Sequence, residues 1–244
     1  MLSDHSFSFA SIGVVHSCYR QKFGIPRQPG LVTEATARIE LLSPFNRLDT
    51  LEGLQSFSHI WVHFIFHACL QEGWKAKIRP PRLGGKNKVG VFATRSTHRP
   101  NPIGLSVVKL GKIYKEDKKV FIDLHGADLL DGTPVIDIKP YLPYADAIPE
   151  AKDGFAPIST VNKEVIFTKQ AEQDCIRYKQ TTQRDIRSLI KQIIAQDPRP
   201  AYLINKTERE HGMQLWNVNV KWKVHTDYFE VLYLEDCRQR YQDE

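Results

Sequence analysis

Hydrophobic residues in the first part of the chain alternate with polar ones over short runs, which is the pattern of β-strands. The clearest run is 59–67, in which Ile60, Val62, Phe64 and Phe66 share one face. Further runs predict strands at 8–15, 31–42, 89–93, 104–113, 119–125 and 135–139, although the run at 31–42 also fits a helix. Because no helical repeat separates these runs, we expect a mainly β fold with an antiparallel sheet or barrel.

The pattern changes after residue 149, where a stretch rich in proline and small polar residues predicts a linker over 149–163. A helix is predicted over 182–196, with Thr182 and Asp185 as its N-terminal cap and Asp197 at its end. The hydrophobic residues that share one face of this helix are Ile186, Leu189, Ile190, Ile193 and Ile194.

A second alternating run follows the helix at 216–224, with two tryptophans and three valines on one face and asparagine and lysine on the other. It leads through a turn into a strand at 229–234, so we expect a helix that covers a β-hairpin. The chain is therefore predicted to consist of a β-barrel domain over 1–150 and a small α+β domain over 165–244.

The charge of the chain is uneven, and its net value of +6 comes from the predicted first domain. No acidic residue occurs between Glu72 and Glu116, an interval that contains eleven lysines and arginines. Such a stretch indicates a polyanionic partner, with RNA or DNA as the first candidate. A solvated cationic loop without a partner remains the alternative.

Several classes of protein are disfavoured by what the sequence lacks. It has no apolar run of about 20 residues and no basic leader segment, so we expect a cytoplasmic protein without a membrane partner. Its four cysteines are far apart and contain no CxxC pair, which indicates free thiols. The motifs of serine hydrolases, P-loop enzymes, zinc proteases and Rossmann folds are missing.

Three histidines, His59, His63 and His67, have a spacing that would suit a metal site on a helix. On the predicted strand, however, residues four apart lie about 13 Å from each other, at roughly 3.3 Å per residue. That distance is too long for a shared ion. We therefore expect no metal here, although His67, at the end of the strand, is placed to touch a ligand.

The most unusual segment is GVFATRSTHRPNPIG at 90–104. A strand end delivers Arg95, and a turn stiffened by two prolines delivers His98, Arg99 and Asn101. A rigid loop with arginines and no acid suits a carboxylate or a phosphate. The turn-rich loop at 126–134 adds carboxylates that fit a ribose or an amino group, although simple Asx-turns remain an alternative for them.

This segment resembles the signature of the TrmO (YaeB) family, with every element present in order. Four flanking stretches also match the family: FGIPRQPGL at 23–31, FSHIWVHFIFH at 57–67, ADLLDGTPVIDIKPY at 127–141 and DPRPAY at 197–202. The resemblance implies a tRNA methyltransferase that uses S-adenosylmethionine and acts on N6 of threonylcarbamoyladenosine at position 37, beside the anticodon. It also implies a single-sheet antiparallel β-barrel, a small C-terminal domain and a homodimer.

The resemblance also implies which residues bind the cofactor: Pro26, Arg27, Gln28, His67, Ala68, Arg95, Leu105, Asp128, Leu129, Leu130 and Asp131. Within this set we expect Arg95 to bind the methionine carboxylate. The backbone at Leu105 is expected to read the adenine, and an aspartate to hold the ribose or the ammonium group.

For the chemical step we expect Asn101 to accept a hydrogen bond from the N6–H of the substrate, with His98 and Asp131 as alternative proton acceptors. The residues expected to bind RNA phosphates are Arg99, Lys75, Lys77, Arg79, Arg82, Lys86 and Lys88. The C-terminal domain, with DPRPAY and the asparagine and lysine face of the run at 216–224, is expected either to touch the anticodon arm or to pack in the dimer or on the barrel. Two rival functions remain open: a non-catalytic RNA-binding protein, and a methyltransferase with a different acceptor.

Overall fold

The structure, a computed structural model, describes residues 6–80, 87–152, 154, 163–199, 203 and 209–237. The strands, in chain order, are β1 (Gly13–Ser17), β2 (Thr36–Leu41), β3 (His59–Ile65), β4 (Lys77–Ile78), β5 (Val89–Gly90), β6 (Ile103–Glu116), β7 (Lys119–His125), β8 (Pro134–Pro140), β9 (Glu164–Phe167), β10 (Glu210–Leu215), β11 (Val218–Val224) and β12 (Tyr228–Asp236). The α-helices are α1 (Pro143–Asp146), α2 (Lys169–Thr182) and α3 (Ile186–Ala195).

Six strands close into an antiparallel barrel in the order β1-β2-β7-β6-β3-β8, which confirms the predicted fold class. The alternation at 59–67 has the expected meaning, because Ile60, Val62 and Phe64 on β3 point into the barrel and are buried. The 14-residue strand β6 pairs with β3 along its first half and with β7 along its second half. This long strand follows directly from the motif at 90–104, so the barrel wall fixes the position of that motif.

A second sheet, which we call the C-terminal sheet, has the strand order β10-β11-β12-β9. The alternation over β11 is confirmed, since Val218, Val220, Trp222 and Val224 are buried. Helix α3 covers the sheet with the predicted apolar stripe. The hydrophobic core under the C-terminal sheet also includes residues of the barrel's loop between β1 and β2. In this contact the Trp216 backbone N–H donates a hydrogen bond to Cys18 O at 2.8 Å.

The largest corrections to the predicted strand boundaries are at three places. Smaller ones end β3 at Ile65 and start β11 at Val218, so that Trp216 lies in the turn before β11. The run at 89–93 forms only the two-residue strand β5, and Val91–Ala93 is a 3-10 turn. The strand predicted over 31–42 is restricted to Thr36–Leu41, and the first strand begins at Gly13 instead of residue 8. In each case the apolar residues beyond the strand lie in loops, where some pack on a neighbouring core and others are exposed. Hydrophobicity alone therefore predicted strands that were too long.

The helical part of the prediction was incomplete. Thr182 does not begin the predicted helix, because it is the last residue of α2, a helix that the sequence analysis missed. The cap of α3 is Asp185, whose side chain accepts a hydrogen bond from the Ser188 backbone N–H. Strands β9 and β10 and the short helix α1 were also not predicted. Most of the predicted linker at 149–163 lies outside the described residues.

Two further observations bear on the class of protein. No helix in the described part of the chain is long and apolar enough to cross a membrane, and the described residues contain no group of three or more potential metal ligands. All four cysteines are buried, and burial raises the pKa of the Cys18 and Cys175 thiols to about 12. These thiols are therefore protonated and unreactive at neutral pH.

Candidate active site

A cavity of about 490 Å³ opens beside the end of β3. Its walls come from the loop after β1, the end of β3 with the 3-10 turn His67–Glu72, the motif at 90–104, the start of β6 and the loop after β7. Five segments that are distant in sequence meet here because the barrel brings its strand ends together. The volume lies in the range of pockets that bind small molecules and cofactors.

Nine of the eleven predicted cofactor residues line this cavity. They are Pro26, Arg27, Gln28, His67, Ala68, Arg95, Leu105, Asp128 and Leu130. Other residues of the wall were not predicted from the sequence, among which are Lys22, Phe64, Phe66, Glu72 and Ser106. Of these, Phe64 and Phe66 had been noticed only as the apolar face of a strand.

The structure separates the two remaining cofactor candidates from the cavity. Leu129 is 1% exposed and packs in the barrel core. Asp131 is ion-paired with Arg20, accepts a hydrogen bond from the Ser17 backbone N–H at 2.9 Å, and lines a different cavity. That second cavity lies between the barrel and the C-terminal sheet and includes Arg184; we call it the junction cavity.

Arg95 connects two walls of the active-site cavity. Its Nη1 donates a hydrogen bond of 2.7 Å to Oε1 of Gln28, so the motif at 90–104 is joined to the loop after β1. The guanidinium has five N–H donors, and this contact uses one of them. The remaining donors give Arg95 the capacity to bind a carboxylate.

A three-residue network closes the outer rim of the cavity. Glu72 accepts hydrogen bonds from Lys22 Nζ and from His98 Nε2, both at 2.8 Å. These two contacts lower the pKa of the Glu72 carboxyl to about 2, so it stays charged at every physiological pH. His98 must have a proton on Nε2 to donate to this carboxylate, and its Nδ1 lies 3.3 Å from Thr97 Oγ1, which can donate a hydrogen bond to it.

Asp128 is the carboxylate at the inner end of the cavity. Burial raises the pKa of the Asp128 carboxyl to about 6, although a hydrogen bond with Ser106 acts in the opposite direction. Its Oδ1 is buried and has no hydrogen-bond partner among the described residues. A buried acceptor of this kind is costly unless a ligand supplies a donor or a positive charge.

Gly104 allows the aromatic wall of the cavity to form. A Cβ atom at this position would lie 2.8 Å from the Phe66 ring and closer still to the Phe64 ring. We expect Gly104→Ala to push these rings into the cavity and to lower the free energy of unfolding by about 1–3 kcal/mol. Denaturant unfolding measures this loss. Gly90→Ala, where nothing lies within 4 Å, is the matched control and should be nearly neutral.

The turn between the prolines lies at the surface beside the cavity and is not part of its lining. Asn101 is exposed and does not line the cavity, while its backbone carbonyl accepts a hydrogen bond from Ile103 N at 2.7 Å. Arg99 is half-buried, and its Nη1 donates to the carbonyl of Thr94 at 2.6 Å. Arg99 therefore stabilises the shape of the motif.

The predicted RNA-binding cations are only partly covered by the structure. Lys75, Lys77, Arg79 and Lys88 are exposed on or beside the two-stranded β4–β5 ribbon. Arg82 and Lys86 lie outside the described residues. The described cations adjoin the active-site motif, since Lys75 N donates to His98 O at 3.2 Å.

The first residues of the DPRPAY stretch form a buried ion pair inside the C-terminal domain. Arg199 is 2% exposed, and its guanidinium makes a bidentate contact with Asp197, at 2.7 and 2.8 Å. Its Nη1 also donates to Leu203 O. Arg199 is thus engaged within the C-terminal domain, residues 200–202 of the stretch lie outside the described residues, and contact of the stretch with the anticodon arm stays a prediction.

Comparison with known protein families gives two matches that together span most of the chain. The model of the tRNA-methyltransferase O N-terminal domain matches residues 14–147, and the model of the TrmO C-terminal domain matches residues 160–237. The chain belongs to the TrmO family. The family resemblance seen in the motif at 90–104 is thus confirmed over both parts of the molecule.

Relatives in this family cover almost the whole chain. A protein of Escherichia coli K12 named tRNA (adenine(37)-N6)-methyltransferase is 44% identical over 236 residues, which is 94% of this chain and 98% of the relative. A putative S-adenosylmethionine-dependent methyltransferase of Pseudomonas aeruginosa is 46% identical over 88% of this chain and 91% of its own. The crystal structure of TrmO from Pseudomonas aeruginosa matches with a TM-score of 0.80 at 39% identity, covering 97% of this chain and 100% of that one.

Proposed function

We propose that this chain transfers a methyl group from S-adenosylmethionine to N6 of adenine 37 in tRNA, and that the adenine is the threonylcarbamoyl-modified form. The observation that supports this most strongly is the convergence of nine expected cofactor residues on one cavity with an unpartnered buried carboxylate. Membership of the TrmO family and the names of its relatives support the same activity.

The charges of the cavity fit S-adenosylmethionine, whose chemical contribution is an electrophilic methyl group on a positively charged sulfur. We propose that Arg95 binds the carboxylate of the methionine part. Asp128, with its unpartnered oxygen, would hold a donor or cationic group of the same molecule. The rings of Phe64 and Phe66 provide the apolar part of the wall.

The proton on N6 must leave during methyl transfer, so a residue near the cavity has to accept it or hold it. Among the three candidates, Asp131 is the least suited, because its carboxylate is ion-paired with Arg20 and lines the junction cavity. His98 lines the active-site cavity, and Asn101 lies on the adjoining exposed turn. We propose that Asn101 accepts the N6–H hydrogen bond and that the proton then leaves to water, because an amide side chain is not a base. The alternative acceptor is His98, whose imidazole can take the proton itself.

Single-turnover methylation at saturating RNA and cofactor separates these two residues. If Asn101 positions N6, Asn101→Ala slows the chemical step by about 10–100-fold, because a hydrogen bond to a developing charge contributes about 1.5–3 kcal/mol. His98→Gln should then have the smaller effect. A rate for Asn101→Ala equal to that of the unmodified chain rejects the assignment to Asn101.

The raised pKa of Asp128 leads to a prediction about pH. Above about 6 the carboxyl is charged and binds a cationic ligand, and below that value it is protonated and neutral. We therefore expect the affinity for S-adenosylmethionine to fall by about tenfold at one pH unit below the pKa. Calorimetric titration with S-adenosylmethionine between pH 5 and 8 measures this affinity, and the Asp128→Asn variant is the control. A fall that persists in Asp128→Asn would assign the effect to another group.

The exposed cations near the motif lead to a prediction about salt. If Lys75, Lys77 and Lys88 each contact a phosphate, tRNA affinity falls steeply with salt, and the slope of log affinity against log salt decreases by about one for each contact removed. The test compares the triple variant Lys75→Gln/Lys77→Gln/Lys88→Gln with Lys191→Gln on α3. An unchanged slope in the triple variant would exclude these residues from the RNA interface.

We also propose that two chains form a homodimer and that the tRNA is bound by its anticodon arm. Large apolar side chains are exposed close to the active-site cavity, which supports a subunit contact there. They include Trp74, Phe92, Ile103 and Leu105, with exposures of 59%, 79%, 36% and 43%. Sedimentation equilibrium tests the dimer, and a single species with the mass of one chain at micromolar concentration contradicts it.

Binding of S-adenosylmethionine distinguishes the proposed enzyme from a non-catalytic RNA-binding protein. Calorimetric titration with S-adenosylmethionine should show saturable binding of one molecule per chain. Absence of this binding, with tRNA affinity intact, favours the RNA-binding protein. Saturable binding without transfer to tRNA favours a methyltransferase with a different acceptor.

A further inference from the structure

The junction cavity is larger than the active-site cavity, with a volume of about 820 Å³. It lies between the barrel wall formed by β1, β2, β6 and β7 and two turns of the C-terminal domain, the α2–α3 turn and the β10–β11 turn. Both parts of the chain therefore contribute to it. The chemistry proposed above uses none of its residues.

Two arginines in this cavity have no carboxylate partner among the described residues. Arg38, on β2, lies over the Phe121 ring at 4.5 Å, and Arg184, in the α2–α3 turn, lies over the Trp216 ring at 4.9 Å. An aromatic ring beneath a guanidinium restricts its motion while its N–H donors remain available. These two side chains are therefore held ready to bind an anion.

The acidic groups of the cavity are already engaged. Asp131 is ion-paired with Arg20 and accepts from Ser17 N, and Asp123 accepts a hydrogen bond from Tyr114 Oη at 3.4 Å. Asp123 is the cross-strand neighbour of Arg38, but among the described residues neither Arg38 nor Arg184 forms an ion pair. Planar guanidinium groups suit phosphate oxygens in particular, because two parallel N–H donors match two oxygens.

The junction cavity adjoins the active site through a single loop. Asp128 and Leu130 line the active-site cavity, whereas Asp131 lines the junction cavity. The loop 128–131 thus borders both cavities, and an RNA whose base occupies the active site has a charged backbone that continues beyond that cavity. Since an exposed acidic peptide would have no such reason to be nearby, the observations favour RNA.

We propose that the junction cavity binds a backbone phosphate of the tRNA through Arg38 and Arg184, as a second RNA contact that joins the barrel to the C-terminal domain. This inference depends on the proposed function, because it takes tRNA as the substrate. It gives the C-terminal domain a part in substrate binding that does not involve the buried Arg199.

The test compares two double variants that each remove two positive charges. Arg38→Gln/Arg184→Gln changes the cavity, and Arg47→Gln/Arg177→Gln is the matched control at arginines that are 67% and 71% exposed and do not line the cavity. We expect the cavity variant to bind tRNA at least about tenfold more weakly at 0.15 M salt, with a salt slope reduced by up to about two. Both variants should bind S-adenosylmethionine normally, which also shows that they are folded.

Equal tRNA affinity for the cavity variant and the control would overturn the proposal. Loss of polyglutamate binding in the cavity variant, with tRNA binding unchanged, would also overturn it and point to an acidic protein partner. Failure of the proposed function is distinguishable, because then the unmodified chain binds tRNA but does not methylate it. Weaker tRNA binding by the cavity variant would still support the phosphate site in that case.

Discussion

Replacing Arg95 with alanine should weaken the binding of S-adenosylmethionine by about 100-fold or more. A bidentate contact of Arg95 with a carboxylate contains two hydrogen bonds between charged groups, each contributing about 1.5–3 kcal/mol, and each 1.4 kcal/mol corresponds to a factor of ten in affinity. The substitution also removes the hydrogen bond to Gln28 that joins two walls of the cavity. Calorimetric titration measures the change directly.

Two further variants separate the charge of Arg95 from its position. Arg95→Lys keeps the charge but loses the forked geometry, so we expect an intermediate affinity. Gln28→Ala removes the internal hydrogen bond alone and should have a smaller effect than Arg95→Ala. If Arg95→Ala binds the cofactor as tightly as the unmodified chain, the carboxylate is not held by Arg95.

The second large effect concerns stability. Trp222 is fully buried in the C-terminal sheet, where it packs against Phe229 and His211. We expect Trp222→Ala to lower the free energy of unfolding by about 3–5 kcal/mol, because a large cavity replaces the indole ring. Denaturant unfolding followed by circular dichroism measures the loss.

Trp74→Ala provides the control for this experiment, since Trp74 is 59% exposed. Its effect should remain within about 0.5 kcal/mol, as for most surface substitutions. A similar small change in Trp222→Ala would mean that the core of the C-terminal sheet does not depend on this ring.

The sequence predicted best those elements in which one face is buried and the other is solvated. Strands β3 and β11 and helix α3 are of this kind, and their periodicity is visible without any partner. Helix α2 was missed because its buried face consists of Ala171, Asp174, Cys175 and Tyr178. Such a face has no apolar stripe that a pattern search would recognise.

Motifs in the sequence predicted most residues of the candidate site, but they did not predict the contacts that these residues make with one another. The hydrogen bond between Glu72 and His98 links residues 26 apart in sequence, and the ion pair of Arg20 with Asp131 links residues 111 apart. Both depend on closure of the barrel, which a local pattern does not contain. For the same reason, the sequence did not show that Asp128 and Asp131 belong to different cavities.

The most direct test of the account is to identify the nucleoside that receives the methyl group. Purified protein is incubated with tRNA that contains threonylcarbamoyladenosine at position 37 and with S-adenosylmethionine labelled in its methyl group, and the RNA is then digested to nucleosides. The account predicts that the label is recovered in the N6-methylated form of that nucleoside, and that tRNA with guanosine at position 37 receives none. Label in another nucleoside, or equal labelling of both RNAs, would contradict it.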